Sequence, residues 1–157
     1  MIETERLEIV PLTLRLLRAC NTLNPGKGLS GLSAEFSEDS PFKVLKEQVE
    51  EDYEMNHWHG LWLLIRKTDR IVVGSIELIN LQNSNGEVEI GCALEKKYEH
   101  NGYMTEAVKE MCHWTLQQKG IKKLIAETAL NNIASQKILI RCGFIRYKED
   151  KTIWWEL

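Results

Sequence analysis

Between Val88 and Lys119 a strand, a polar loop with a terminal glycine and a periodic helix follow one another, and this junction constrains the fold most. Val88-Glu89-Ile90-Gly91-Cys92-Ala93-Leu94 has the pattern of a strand. Glu95 to Asn101 is polar, and Gly102 leads into apolar or small residues at Met104, Ala107, Val108, Met111, Cys112 and Thr115. That i, i+3, i+4, i+7 spacing marks a helix with one buried face. A glycine-led helix start leaves several backbone N–H groups without intrahelical acceptors. Together with the positive end of the helix dipole they form a ready site for phosphate or pyrophosphate. Many strand–loop–helix units bind nothing, so the flanking segments decide what this one means.

Upstream, Leu7-Glu8-Ile9-Val10 alternates before Pro11 and predicts a first strand. Leu12–Cys20 predicts a short helix, broken by Asn24-Pro25-Gly26-Lys27-Gly28. Ser40-Pro41 reads as a helix cap followed by proline in the first turn, opening a helix to about Asn56. Acids crowd 35–54, which is first of all a solvated face and secondly a rim that would attract an amine. Leu61–Ile65, Ile71–Leu81 and Glu87–Leu94 predict three successive antiparallel strands, with Asn85-Gly86 as the second turn. The helix from Gly102 is expected to end at Lys119-Gly120. A buried strand, Lys123–Thr128, a helix from Asn132 to Cys142 capped by Gly143, and a hairpin of Phe144–Lys148 with Thr152–Leu157 complete the chain.

A chain of 157 residues, 43% hydrophobic, is expected to build one domain over 1–157 around one core. A net charge of −3 argues against a nucleic-acid surface, which would need a basic excess. No apolar run approaches the roughly 20 residues that span a bilayer. The start, Met1-Ile2-Glu3-Thr4-Glu5-Arg6, lacks the pattern of a secretory signal. Cys20, Cys92, Cys112 and Cys142 are widely spaced, and a reducing, cytoplasmic setting is expected. His57-Trp58-His59 offers two metal ligands without a third, so no metal is expected.

Thr4-Glu5-Arg6-Leu7, Glu89-Ile90-Gly91, Gly102-Tyr103-Met104-Thr105-Glu106-Ala107, Asn132-x-x-Ser135 and Gly143-Phe144 together resemble the GNAT superfamily of acetyl-CoA-dependent N-acetyltransferases. The resemblance is to its ribosomal-protein-acetyltransferase-like (Rim-type) branch. It covers nearly the whole chain and is close over Val73–Phe144. It implies an α/β (α+β) fold: a central, mostly antiparallel mixed sheet flanked by helices, with splayed strands forming a CoA cleft. It also implies acetyl-CoA as co-substrate and an amine acceptor, with no metal, no nucleic acid and no membrane; a homodimer is left open. The rival reading is a non-catalytic CoA-binding or protein-interaction module on the same fold.

The resemblance places the pantetheine-binding strand edge at Cys92-Ala93-Leu94, beside a bulge near Gly91. The family's phosphate loop, Gln/Arg-x-x-Gly-x-Gly/Ala, falls on Lys97, His100 and Gly102, so only the last glycine matches fully. His100 stands where a glycine often takes a positive φ. Phosphate contacts are expected from Lys97, His100, Asn101, Gly102, Tyr103, Met104 and Thr105. Glu89 is the first choice of general base, with Glu77, Glu127, Glu149 and Glu156 as rivals or a water relaying the proton. The tyrosine that many relatives use as general acid is Leu139 here, and Ser135 matches the serine of the Rim-type motif. Ser135 is read equally as a helix-end residue; Asn132 is read as a pantetheine contact, a helix cap, or both.

Overall fold

The computed structural model describes residues 1–12, 60–79 and 85–157. The expected helices over 13–20 and 41–56, the break at 24–28, the acidic stretch and His57-Trp58-His59 lie outside the described residues. Among the described residues ten helices and strands are present: β1 (Ile2–Glu3), β2 (Leu7–Pro11), β3 (Gly60–Arg66), β4 (Val72–Ile79), β5 (Glu87–Leu94), α1 (Tyr103–Leu116), β6 (Lys123–Ala129), α2 (Ile133–Arg141), β7 (Ile145–Glu149) and β8 (Thr152–Glu156). A single 3-10 turn, Lys96–Tyr98, lies between β5 and α1.

The strands form one eight-stranded sheet in the order β1-β2-β3-β4-β5-β6-β8-β7. Every pairing is antiparallel except β5 with β6. That exception follows from the connection: α1 carries the chain from one end of β5 back to the other, as a parallel neighbour requires. The mostly antiparallel mixed sheet is the one the sequence predicts.

One sheet face packs on α1. Leu7, Ile9, Leu64, Ile76, Val88 and Leu124 point from the strands into this core, and Met104, Ala107, Val108 and Met111 meet them from the helix. The helix residues are those of the predicted apolar stripe. α2 joins the same core through Leu139, followed by Phe144. Trp62 belongs to it as well, its ring 5.0 Å from that of Trp114. Its β3 register with Ile76 places it on the α1 face.

Two expectations shift, and one strand was not foreseen. α1 stops at Leu116 rather than Lys119, because the chain tightens into 3-10-type bonds from Gln117 to Trp114 and from Gln118 to Thr115. The amide of Gln118 also covers the Trp114 carbonyl. Strand β1, which pairs with β2, has too few residues for any periodicity to show. The β4–β5 register runs without a shift past Gly91, so no bulge interrupts that pairing.

Candidate active site

The cleft arises on the other edge of β5. Only Glu87, Val88 and Glu89 pair with β6, opposite Lys123, Leu124 and Ile125. Beyond them β5 stays bonded to β4 while β6 stays bonded to β8, so the two parallel strands part. The parting leaves Cys92 and Ala93 exposed and Leu94 half-buried, as the expected open edge requires. Three consecutive residues of one edge, with no β6 partner, are what an extended amide-bearing ligand can pair with.

The loop at the end of β5 turns sharply. Glu95 donates to the Val73 carbonyl, and the 3-10 turn follows. His100 has φ 63 and Gly102 has φ 78, both left-handed. His100 therefore adopts the backbone conformation expected of the glycine it replaces, with its imidazole in solvent. The N–H groups of Tyr103, Met104 and Thr105 donate to no acceptor among the described residues, and no side chain caps the helix. The α1 N-terminus is open for an anion. Lys97 reaches Glu95 at 2.7 Å and lies over the Tyr98 ring, so its charge is partly answered already. Met104 is a core side chain and can offer only its backbone to a ligand.

On the sheet face opposite α1, three carboxylates gather around Gly91. Glu77 on β4 is the direct partner of Gly91. Glu89 lies two residues earlier on the same strand and face. Glu127 lies two residues beyond Ile125, the partner of Glu89, and so flanks Gly91 across the parting. A side chain at Gly91 would meet only the Glu77 Cβ, at 3.8 Å. No hydrogen bond or ion pair reaches these three carboxylates among the described residues. Burial raises the pKa of Glu89, and the charges of Glu127 and Glu77 raise it further. Burial raises that of Glu77.

The other rivals for the base are occupied elsewhere. Glu156 accepts from Lys123 at 3.2 Å, and Glu149 pairs with Arg146. Lys123 also holds Glu87 and lies over the Tyr147 ring, which puts that phenol at the closed end of the β5–β6 pair. About five residues of strand, roughly 17 Å, separate Glu87 from Cys92.

At the start of α2 the two readings of Ser135 separate. The Asn132 side chain accepts from the Ser135 N–H at 3.1 Å, so Asn132 is the cap. The Ser135 hydroxyl makes no hydrogen bond among the described residues and is half-exposed. Among the described residues the three cysteines, Cys92, Cys112 and Cys142, are free thiols. Cys92 lies on the open edge, yet the protein around its thiol, then Cys142, pushes its pKa up to about 11. Burial brings Cys142 up to about 11 and Cys112 higher still.

Sequence reasoning gave no role to Thr4 and Arg6. The structure joins both to Glu106 in the first turn of α1, and joins Arg6 to the loop through the Asn101 carbonyl. The only sequence signal was the Thr4-Glu5-Arg6-Leu7 motif itself.

A sheet parted beside an uncapped helix start is the architecture implied by the motifs, and the comparisons agree. Residues 33–145 match the acetyltransferase (GNAT) domain family, and the chain belongs to that family. It is 31% identical over 84 residues to the uncharacterized N-acetyltransferase YjdG of Bacillus subtilis (strain 168), covering 54% of this chain and 50% of that protein. The match thus spans about half the length of that relative. The fold is similar to ribosomal-protein-S5-alanine acetyltransferase from Vibrio fischeri, with TM-score 0.73, 18% identity, and coverage of 99% and 94% of the two chains. It is also similar to the dodecameric spermidine N-acetyltransferase from Vibrio cholerae, with TM-score 0.70, 16% identity, and coverage of 97% and 93%.

Proposed function

We propose that this protein transfers the acetyl group of acetyl-CoA to a primary amine, by direct attack with both substrates bound. The observation that carries this reading is the trio Glu77, Glu89 and Glu127 around Gly91, on the substrate face beside the parted strands. The nucleophile in such a transfer is a neutral amine, which is mostly protonated at neutral pH. A carboxylate with a raised pKa is a stronger base than an ordinary glutamate, and Glu89 has that environment. Water can relay the proton between Glu89 and the amine. Acid on this face also favours a cationic substrate.

The residues present suit acetyl-CoA. The free edge at Cys92-Ala93-Leu94 offers backbone partners to the pantetheine amides, and an amide there can polarise the thioester carbonyl. The open N–H groups at Tyr103–Thr105 suit the pyrophosphate. Lys97, His100 and Asn101 line that loop. Asn132 and Ser135 stand at the α2 start, where the Ser135 hydroxyl can donate a hydrogen bond to the departing thiolate, which water then protonates. Direct attack is favoured over an acyl-cysteine route because the protein packed around the Cys92 thiol, on a residue otherwise exposed at the edge, disfavours the thiolate that would be the nucleophile.

The names of relatives suggest two acceptor classes, a protein N-terminal amine and a polyamine. Acetyl-CoA incubated with N-terminal peptides, polyamines and small amines should release free thiol in step with acetylated product. Absence of acetyl-CoA binding by calorimetry at millimolar concentration would refute the reading. Binding without transfer to any amine class would favour the non-catalytic module. Ser135→Ala should lower kcat about tenfold while leaving thermal stability nearly unchanged, since Asn132 rather than Ser135 caps α2.

A further inference from the structure

We propose that Arg6 is a positioning residue: it clamps the Asn101–Gly102 peptide so that the α1 N-terminus is presented to the phosphates of acetyl-CoA. The inference rests on the acetyl-CoA reading above and adds to it a role for the N-terminal strand. The clamp has three members from distant parts of the chain. Arg6 donates to Glu106 through Nε at 2.7 Å and through Nη2 at 2.7 Å, a side-on pair on Oε2. The other carboxylate oxygen accepts from the Arg6 backbone N–H at 2.8 Å and from the Thr4 hydroxyl at 2.5 Å. The remaining arm, Nη1, donates to the Asn101 carbonyl at 2.9 Å.

That last bond fixes a peptide plane. The Asn101–Gly102 peptide is trans, like every peptide among the described residues, and in a trans peptide the carbonyl and the following N–H point in opposite directions. Holding the Asn101 carbonyl toward Arg6 therefore turns the Gly102 N–H away from it. Asn101 is itself secured, its side-chain amide donating to the Tyr98 and Glu99 carbonyls. The guanidinium is also wedged in place. It lies 4.6 Å from the Tyr103 ring centroid, and a Cβ on Gly102 would come within 3.4 Å of Nη2. Gly102 at φ 78 thus gives both the left-handed turn and the space for Arg6.

Glu106 gains from the same arrangement. An acid in the first turn of a helix would compete with a bound phosphate for the helix end. Here its two oxygens are turned to Thr4 and Arg6, and its charge is answered by the guanidinium. Arg6 consequently acts through the loop rather than as a phosphate ligand. A lysine in its place could reach one partner but could not bridge Glu106 and Asn101 together.

The test measures acetyl-CoA affinity by calorimetry and turnover with both acetyl-CoA and S-acetylpantetheine, which lacks the pyrophosphate. Arg6→Ala should raise the Kd for acetyl-CoA about tenfold, with kcat at saturating acetyl-CoA, the acceptor KM and the S-acetylpantetheine rate within about twofold of wild type. Arg6→Lys should behave similarly, Thr4→Val should weaken acetyl-CoA less, and Thr4→Ser should restore it. Arg70→Ala, which removes a comparable ion pair to Glu8 away from the loop, should change none of these. The sharpest variant is Glu106→Gln. A clamp predicts weaker acetyl-CoA binding, because the guanidinium loses its anchor; a direct phosphate ligand predicts tighter binding, because Arg6 is freed. Tighter binding by Glu106→Gln, or an unchanged Kd in folded Arg6→Ala and Arg6→Lys, overturns the proposal. If Arg6→Ala does not fold, Arg6→Lys and Glu106→Gln decide alone. Wild-type protein that binds no acetyl-CoA refutes the underlying reading, whereas wild-type binding equalled by all clamp variants refutes only the clamp.

Discussion

Glu106 and Glu89 are both glutamates partly withdrawn from water, and the fold shifts them in opposite directions. Burial raises the pKa of each. At Glu106 that effect is overcome by the Thr4 hydroxyl, the Arg6 N–H and the Arg6 guanidinium, so the carboxyl lies below its ordinary range. At Glu89 no donor intervenes among the described residues, and the neighbouring charges of Glu127 and Glu77 add to burial. Four donor contacts make the first a structural clamp, while their absence leaves the second poised to take a proton. Partners, more than burial, separate an acid that holds the fold from one suited to chemistry.

The largest effect that would break this comparison is on turnover. Glu89→Gln should lower kcat about a hundredfold, within the range for loss of a general base, and leave acetyl-CoA affinity intact. The wild-type rate should rise with pH as Glu89 ionises at its raised pKa, and that acidic limb should vanish in the variant. If the variant keeps the limb and the rate, the base is Glu77, Glu127 or water, and Glu89 loses its place in the contrast.

Space at Gly91 gives the next effect. The residue has no positive φ, so its value to the site is the missing side chain. Gly91→Val should raise the acceptor KM about tenfold while the Kd for acetyl-CoA stays within about twofold. Equal loss of both substrates would mean the strand itself has moved.

The strands from β2 onward and the α1 stripe were legible because each repeats a periodicity with one face buried, whereas the two-residue β1 and the sheet order were not. Where both faces are apolar the pattern carries no direction, and Leu61-Trp62-Leu63-Leu64-Ile65 is buried throughout. The parting of β5 from β6 was anticipated from the motifs, but its cause was misread as a bulge. It is a loss of pairing between strands whose sequences lie more than thirty residues apart, which leaves no local mark. The clamp was illegible for the same reason. Arg6 and Glu106 are 100 residues apart in sequence, and each reads as an ordinary surface charge. Ser135 shows the reverse case: the motif left cap and hydroxyl donor open between Asn132 and Ser135, and the hydrogen bond from the Ser135 N–H to Asn132 told the cap from the free hydroxyl.

Stability against pH should split the two regions by sign. Glu106 has a lowered pKa when folded, so its contribution is present above the ordinary 4.5 and is lost as pH falls through the folded value. Glu77 has a raised pKa, so its contribution is present below the ordinary 4.5 and is lost as pH rises through the folded value. At pH 7, Glu106→Gln should therefore lower stability by about 1–2 kcal/mol, the scale of charge-assisted hydrogen bonds at a partly exposed site. Glu77→Gln should raise the melting temperature at pH 7, with the gain shrinking as pH falls through the folded pKa of Glu77. Thermal unfolding between pH 4 and pH 8 checks both, and parallel responses from the two variants would dissolve the contrast.

The smallest effect is expected at His100, in the loop that the clamp holds. A non-glycine residue in the left-handed region is strained by about 1–2 kcal/mol, and His100 sits there at φ 63. His100→Gly relieves that strain but frees the unfolded chain, which offsets about 0.4–1 kcal/mol. The net gain in stability should be below about 1 kcal/mol. Affinity then shows why a histidine stands at this position. If the imidazole contacts phosphate, His100→Gly should weaken acetyl-CoA binding, because a side-chain donor is lost. If the loop works through its backbone alone, His100→Gly should bind acetyl-CoA at least as well as wild type. The clamp favours the second outcome: Arg6 already fixes the peptide that follows, and among the described residues the exposed imidazole makes no contact beyond a 4.0 Å approach to Glu99. A loss of affinity in His100→Gly would move recognition from the backbone to the side chain and make the clamp one of two devices in this loop.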